Sequence, residues 1–446
     1  MKILHVSLGL PPLRTGGMTR YSVELMQSQC QHGHEVSLLY PGRFLPGRTR
    51  VNGGSWQEVS TYEVVNPLPI PLTYGVAEPG AFMAPCDTPE AYVELLSSLV
   101  PDVVHVHCFQ GIHAEFFDAV ENLGIPCVFT THDYYPACPR TTLINKDGES
   151  CEGPMPERCA VCCRGVGMTA KKSRVMQSRL YAVTKGSAFM RTLIKRIKGE
   201  MAVSQPIKAV EPASPGEVER FSALLGYNVR ILSKMSLILA NSPMTERIYR
   251  GFFPQARYVL VPGTHSGLNR PTGPARTRKK DEPAKIAYFG GMKPYKGYGT
   301  LMNACTLLHE KGFGFSLDLY GDDYVIPAGV SEVSSMGMVP PEEVRGILRA
   351  YDVVVVPSIC HETCGFVVLE ALSEGIRVVC SDAVGAASLV QPDYVFKAGD
   401  APDLAHTLER SLLSTGEPVF IPADYPIKLD DQVSLLDEAY EMAIGR

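Results

Sequence analysis

Short runs rich in Val, Ile, Leu and Tyr alternate along the chain with stretches whose apolar residues recur every three to four positions. KILHVSLGL (2–10), EVSLLY (35–40), WQEVSTYEVV (56–65), DVVHVHC (102–108) and PCVFTTHD (126–133) read as strands. Residues 18–32 and 112–124 read as helices between them. DVVHVHC and PCVFTTHD begin with nearly continuous apolar runs, as strands covered on both faces do. LILANS (237–242) and RYVLVPG (257–263) extend the series. Segment 262–283, rich in Pro, Gly and charge, interrupts it and reads as a linker rather than a solvated loop. The alternation then restarts with KIAYFGG (285–291), SLDLYGD (316–322), EVSSMGMV (332–339), DVVVVPS (352–358) and RVVCSD (377–382). Helices are expected near 298–311, 341–350 and 365–374, and an amphipathic last helix over 430–444.

This pattern predicts an α/β protein with two doubly wound, largely parallel sheets. The expected division is an N-terminal domain over 1–265, a linker over 266–283 and a C-terminal domain over 284–424. Residues 425–446 are expected to pack back on the body. Ligands of such sheets bind beyond the carboxyl ends of the strands, so the expected site is the cleft between the domains.

The length of 446 residues agrees with more than one core. Net charge is −5, so global electrostatics points to no polyanion and nucleic acid is not an expected partner. No apolar run approaches the roughly 18 residues of a membrane span. The opening MKILHVSLGLPP runs straight into a strand instead of the apolar region of a secretory signal. A cytoplasmic protein with mostly reduced thiols is the expectation for its 13 cysteines.

Candidate chemistry collects at predicted strand ends. Gly16–Gly17 precede the first helix, and Gly-rich turns at helix starts present amides to anions. Most such glycine pairs are only turns, and alone they do not decide for an anion site. His132 ends a buried strand, where a structural and a cleft role are evenly balanced. Gly290–Gly291, Lys293 and Lys296 form a second glycine turn with lysines attached, suited to phosphate. Solvation in a loop would explain Lys293 better than Lys296. In HETCGFVVLE (361–370), Glu370 lies within an apolar run, where a bare carboxylate costs several kcal/mol. A ribose diol would satisfy it, and Glu362 at the mouth of the segment would serve another polyol.

HETCGFVVLEALSEGIRVVCSD resembles the glutamate, seven residues, glutamate segment of the retaining GT-B glycosyltransferases of family four, with glycine third after the first glutamate. FGGMKPYKG is similar to that family's Gly–Arg…Pro–Glu–Lys–Gly element, with Gly291 in place of the arginine. GGMTRYSVELMQSQCQHGHEV, DVVHVHC, TTHDYYPACPR and YDVVVVPS extend the likeness over most of the chain. The resemblance implies a GT-B fold and transfer of a sugar from a nucleoside-diphosphate sugar to a hydroxyl, in polysaccharide, glycolipid or glycoconjugate synthesis. Glu370 would bind the ribose and Glu362 the donor sugar. Gly365 and Phe366 would offer amides, Lys296 would neutralise the leaving diphosphate, and Gly16–Gly17 would cradle it. His132 would line the sugar pocket, and Val339 would touch the base. Lys293 stands nearest to the missing arginine charge. No metal would be required for transfer. The alternatives are a nucleotide-sugar epimerase on the same frame or a non-catalytic nucleotide-sugar-binding protein. A NAD enzyme is disfavoured because the first strand lacks G-x-G-x-x-G.

Two insertions stand apart. Cys138, Cys151, Cys159 and Cys162 lie in a polar loop, where one structural Zn²⁺ or free and partly disulfide-linked thiols are both open. Residues 171–198 carry nine Lys or Arg and no acid, interleaved with apolar residues. This stretch suits contact with an anionic membrane, peripheral at its inner face, or a solvated helix pair covering the domain. The cysteine loop and the basic helices span 138–200. The acceptor is open among a sugar, a lipid-linked group and a small molecule.

Overall fold

The computed structural model describes residues 1–178, 181, 184, 211–268, 278, 282–326, 332–414, 419–423 and 425–445. Eight strands form the first sheet: β1 (Lys2–Val6), β2 (Glu35–Pro41), β3 (Arg50–Trp56), β4 (Val59–Val65), β5 (Val103–Val106), β6 (Cys127–Thr130), β7 (Leu237–Ala240) and β8 (Tyr258–Leu260). Their order is β3-β4-β2-β1-β5-β6-β7-β8, parallel except for β3. Six form the second: β9 (Ala284–Phe289), β10 (Phe315–Tyr320), β11 (Val333–Gly337), β12 (Val353–Val356), β13 (Arg377–Ser381) and β14 (Val395–Phe396), all parallel in the order β11-β10-β9-β12-β13-β14. The expected pair of doubly wound sheets is present.

Both strand orders reverse direction once: between β1 and β5 in the first sheet, and between β9 and β12 in the second. The loops leaving two adjacent strands diverge there and open a crevice at the carboxyl ends. Two of the crevice strands, β5 (VVHV) and β12 (VVVV), are buried along their whole length. Covered on both faces, they need no polar alternation.

One strand departs from expectation. WQEVSTYEVV is not a single strand, because Gln57 adopts φ 51° and turns the chain back at residues 57–58. Trp56 and Val59 then pair across the tip of an antiparallel hairpin. Helices Glu90–Leu99, Pro215–Leu232, Pro243–Phe252 and Ala401–Leu413 were not expected from the pattern. The helix Pro215–Leu232 has a full capping box, Ser214 with Glu217.

The C-terminal helix, Leu429–Ile444, returns to the first domain. Val433, Leu436, Ala439 and Tyr440 are buried there in one cluster with Ile3, Tyr21, Leu25 and Val103. The stretches where the chain leaves the first domain and returns to it lie side by side. Gln432 Nε2 donates to the Pro262 carbonyl at 2.6 Å, and Thr264 Oγ1 donates to the Ile427 carbonyl at 2.5 Å. Leu436 is fully buried, so Leu436→Ala is expected to cost roughly 2–5 kcal/mol. Calorimetry should show the N-terminal domain melting earlier; an unchanged thermogram would mean that the helix does not hold that domain.

Candidate functional site

β9 and β12 deliver the first charges. After β9, the Gly290 amide donates to the Tyr320 carbonyl at 2.9 Å, which closes the turn. The chain then makes one helical turn, Pro294–Lys296. The Tyr295 carbonyl accepts from the amides of Ile359 and Cys360 in the loop after β12, at 2.9 and 3.1 Å. Gly297 follows at φ 77°, where a Cβ would stand 1.7 Å from the Pro357 carbonyl oxygen. Only glycine permits that approach. The clamped loops place Lys296 Nζ 2.8 Å from Glu362 Oε1, and Ser358 Oγ donates to the same oxygen. Burial opposes the charge on each partner. The Lys296–Glu362 attraction outweighs it, holding the lysine above its ordinary range and the carboxyl below.

The helix Phe366–Ser373 begins beside this pair. Gly365 caps it at φ 92°, with no side chain on the first amides. These amides carry the positive end of the helix dipole. Gly17 of the first domain abuts Phe366, and a Cβ there would lie 3.3 Å from the ring. Glu370 is buried one turn further in. Its Oε1 lies 3.4 Å from Arg20 Nη1 and 3.3 Å from His265 Nε2. Arg20 also holds Glu24 at 2.9 Å and His265 Nδ1 at 3.1 Å. An arginine from the opposite domain therefore compensates the carboxylate. Both contacts use Oε1.

The first domain supplies the facing wall. His132 follows β6, and Thr363 Oγ1 donates to its carbonyl across the cleft at 3.2 Å. Burial pushes the His132 imidazole down to about 3, so it is neutral near pH 7. Burial pushes the adjacent Asp133 carboxyl up to about 6, against bonds from the Tyr135 amide and Gln110. Asn241 adds a buried Oδ1 without a partner among the described residues. A cavity of about 400 Å³ joins these walls, and Gly17, His132, Asp133, Lys296, Glu362 and Phe366 all reach it.

Of the residues singled out in the sequence, Gly17, His132, Lys296, Glu362, Gly365 and Phe366 line this cavity. Gly16, Gly290, Gly291, Lys293 and Glu370 stand outside its lining. Lys293 lies 5.5 Å over the Tyr295 ring. Val339 stands just past β11, packed against the second core, and also outside the lining. Sequence reading passed over Arg20, Asp133, Asn241 and His265. Asp133 had a signal in its place directly after His132. Arg20 had one as a cation one turn into the glycine-led helix.

Cys138, Cys151, Cys159 and Cys162 border a single cavity of about 570 Å³, together with Cys163. All are free thiols. Burial pushes Cys138 up to about 11 and Cys159 up to about 12. Among the described residues, the one trio of His, Cys, Asp or Glu with ligand atoms within 4.8 Å of one another consists of histidines. The cysteines therefore share a cavity without meeting at ligand distance. β6 stops at Thr130, and Cys138 belongs to the turns beyond it. The basic stretch lies mostly outside the described residues; its opening, Ala170–Met176, is helical. Among the described residues no helix is long and apolar enough to cross a membrane.

Two family models match the chain: glycosyltransferase family 4 over residues 15–170, and glycosyl transferases group 1 over 283–414. Together they take in more than half of it. An uncharacterized glycosyltransferase of Methanocaldococcus jannaschii, MJ1607, is 23% identical over 88% of this chain and 83% of its own length. The amylovoran biosynthesis glycosyltransferase AmsK of Erwinia amylovora is 27% identical over 32% of this chain, a match spanning 38% of that protein. Among solved structures, Anabaena HepE in complex with UDP and glucose superposes with a TM-score of 0.55 at 14% identity, covering 98% of this chain and 99% of that one. Sucrose-phosphate synthase from Thermosynechococcus elongatus gives 0.53 at 17%, covering 100% and 97%. The shared fold is GT-B.

The neutral histidines make stability depend on pH. His5, pushed by burial down to about 4, and His132 at about 3 bind protons more weakly folded than unfolded. Their contribution is complete above the unfolded value near 6.5 and is lost as pH falls towards the folded values, by about 1.4 kcal/mol per pH unit for each group. Asp133, shifted upward, opposes part of this loss between about pH 6 and 4. The melting temperature of wild type is expected to fall more steeply from pH 6.5 to 4 than that of His132→Gln. Parallel curves would remove His132 from the account.

Proposed function

We propose, from the GT-B glycosyltransferases of family four, to which the chain belongs, that it moves a sugar from a nucleoside-diphosphate sugar to an acceptor hydroxyl with retention at the anomeric carbon. The observation carrying this reading is one cavity on which the Lys296–Glu362 pair, the open amides of Phe366–Ser373 and His132 converge from two domains.

In this reading the diphosphate lies between Lys296 and the amides at Gly365 and Phe366. As the sugar–oxygen bond breaks, negative charge grows on the leaving diphosphate. Donors already fixed in place stabilise it without reorganising, usually the largest single catalytic contribution. Glu362 holds Lys296 in place until the diphosphate arrives, and its Oε2, without a partner among the described residues, is available to a sugar hydroxyl. Glu370 receives the ribose diol through Oε2, which has no partner among the described residues. His132 and Asp133 flank the sugar. The acceptor proton passes to a diphosphate oxygen on the same face, which preserves the configuration. Lys296 and the amides supply the charge, so transfer is expected without a divalent cation.

HepE is known in complex with UDP-glucose, which makes uridine donors the first to test. The name of AmsK favours a polysaccharide or glycoconjugate pathway. The reading places the enzyme in the cytoplasm, with residues 171–198 as its contact with the inner face of an anionic membrane and a lipid-linked acceptor. The cysteines around one cavity support a structural Zn²⁺ that draws their sulfurs inward.

Calorimetry with UDP should show Glu370→Ala weakening binding about tenfold, as for the loss of one or two hydrogen bonds to a charged group. Glu362→Gln should stay within about threefold for UDP yet lose roughly 100-fold in turnover. Equal effects on binding would refute the separate roles.

Brief exposure to EDTA should leave turnover unchanged; loss restored only by Mg²⁺ or Mn²⁺ would overturn metal-independent transfer. Elemental analysis of protein purified without chelator should find about one zinc per chain, absent in Cys159→Ser. Fully active, metal-free protein would end the zinc proposal.

A further inference from the structure

Behind His132 lies a buried file of histidines. His5 on β1 and His105 on β5 are register partners, and His107 follows β5 two residues on. All three are essentially inaccessible to solvent. His107 Nδ1 lies 3.1 Å from His132 Nε2, and His107 Nε2 lies 2.9 Å from His5 Nδ1. His5 Nε2 lies 2.7 Å from Gln29 Oε1, and Gln29 Nε2 lies 3.1 Å from the hydroxyl of Tyr440. That hydroxyl meets His105 Nδ1 at 2.7 Å, and His105 Nε2 meets Thr130 Oγ1 at 2.7 Å.

His5, His105 and His107 bring their nitrogens close enough to hold a metal. Each ring nitrogen already has a hydrogen-bond partner, so no lone pair remains for an ion. A hydrogen-bonded file accounts for them instead.

A neutral imidazole has one N–H and one lone pair. That rule gives the file a direction. Gln29 Oε1 can only accept, so His5 carries its proton on Nε2 and offers a bare Nδ1. His107 must then donate from Nε2, and its Nδ1 accepts from His132 Nε2. His132 is left with a bare Nδ1, which has no partner among the described residues, on a side chain that lines the cleft. On the other branch Gln29 donates to Tyr440, Tyr440 donates to His105 Nδ1, and His105 Nε2 donates to Thr130. On this assignment every ring nitrogen of the file except His132 Nδ1 has its partner. Rotating the Gln29 amide by half a turn would reverse the whole file and put the proton on His132 Nδ1.

We propose that Gln29, on the first helix, is a positioning residue that sets the tautomer of His132 through His5 and His107, making the Nδ1 of this cavity-lining residue an acceptor for a ligand hydroxyl. Tyr440, on the C-terminal helix, accepts from the amide on its other side and carries the same direction on to His105. That the hydroxyl belongs to the donor sugar rests on the proposed transferase reading; the tautomer does not.

The test is nitrogen-15 NMR of histidine-labelled, full-length protein without ligand, where the two neutral tautomers have distinct ring shifts and His132→Gln assigns the signal. Wild type is expected to show His132 with its proton on Nε2. Gln29→Glu, whose carboxylate only accepts, should keep that state. Gln29→Met should give a mixture, and should raise the donor KM about threefold to tenfold with kcat little changed. A proton on Nδ1 in wild type overturns the proposal, and so does an unmoved His132 signal in folded Gln29→Met. If Gln29→Met does not fold, the wild-type and Gln29→Glu spectra decide the matter. Absence of sugar transfer with the expected spectra would sink the donor reading and leave the tautomer assignment standing.

Discussion

The Lys296–Glu362 pair is the constraint around which the site is arranged. Two partly desolvated charges in a cleft are costly unless each compensates the other in good geometry. That geometry requires two loops from adjacent strands to meet closely. Gly297 permits the approach to Pro357, the Tyr295 carbonyl ties the loops, and Ser358 completes the carboxylate. The strand order makes the meeting feasible, because β9 and β12 are neighbours on either side of the reversal. A lysine already held by an ion pair loses little side-chain freedom when an anion arrives. Preorganisation of that kind favours charge that develops during reaction over charge in general.

The polar file behind His132 is unusual for a sheet interior. Buried polar groups are tolerated when every partner is supplied, and a half-satisfied network is worse than an apolar core. Here strands β1 and β5, the first helix and the C-terminal helix each contribute one or more members. The network therefore tests the assembly of the first domain: misplacing any one element leaves a buried nitrogen or hydroxyl unpaired. Arg20 with Glu370 imposes a similar demand between domains, since the carboxylate is compensated only when the helix Gly17–Gln31 faces the second sheet.

Much of this architecture was legible in the sequence. Apolar strands with helices between them announced two parallel sheets, and glutamates eight positions apart marked the mouth and interior of one helix. Lys296 was legible because a glycine-bounded turn after a strand places a lysine at a carboxyl end. The pairing of Lys296 with Glu362 was not, because 66 residues separate them and only the strand order joins them. The histidines were visible at a two-residue spacing in HVH, which puts both on one face. Their role depends on the β1–β5 register and on Tyr440, 335 residues beyond His105. The β3–β4 hairpin was missed because its reversal rests on Gln57, a residue with no special preference for a left-handed conformation. The helices Glu90–Leu99 and Ala401–Leu413 carry ordinary amphipathic patterns that were overlooked.

The C-terminal helix gives the molecule a further property. Domains joined by one tether can swivel about three axes. Here the chain passes from the first domain to the second and back, and the stretches where it leaves and returns are hydrogen-bonded to each other at Pro262–Gln432 and Thr264–Ile427. Two tethers fastened side by side act as the knuckles of a door hinge. Twisting and sliding would tear the hydrogen bonds between them, whereas rotation about their common line leaves those bonds intact. Rotation about that line would part or bring together Phe366 and Gly17, and Thr363 and the carbonyl of His132, the contacts on which the two walls of the cleft meet.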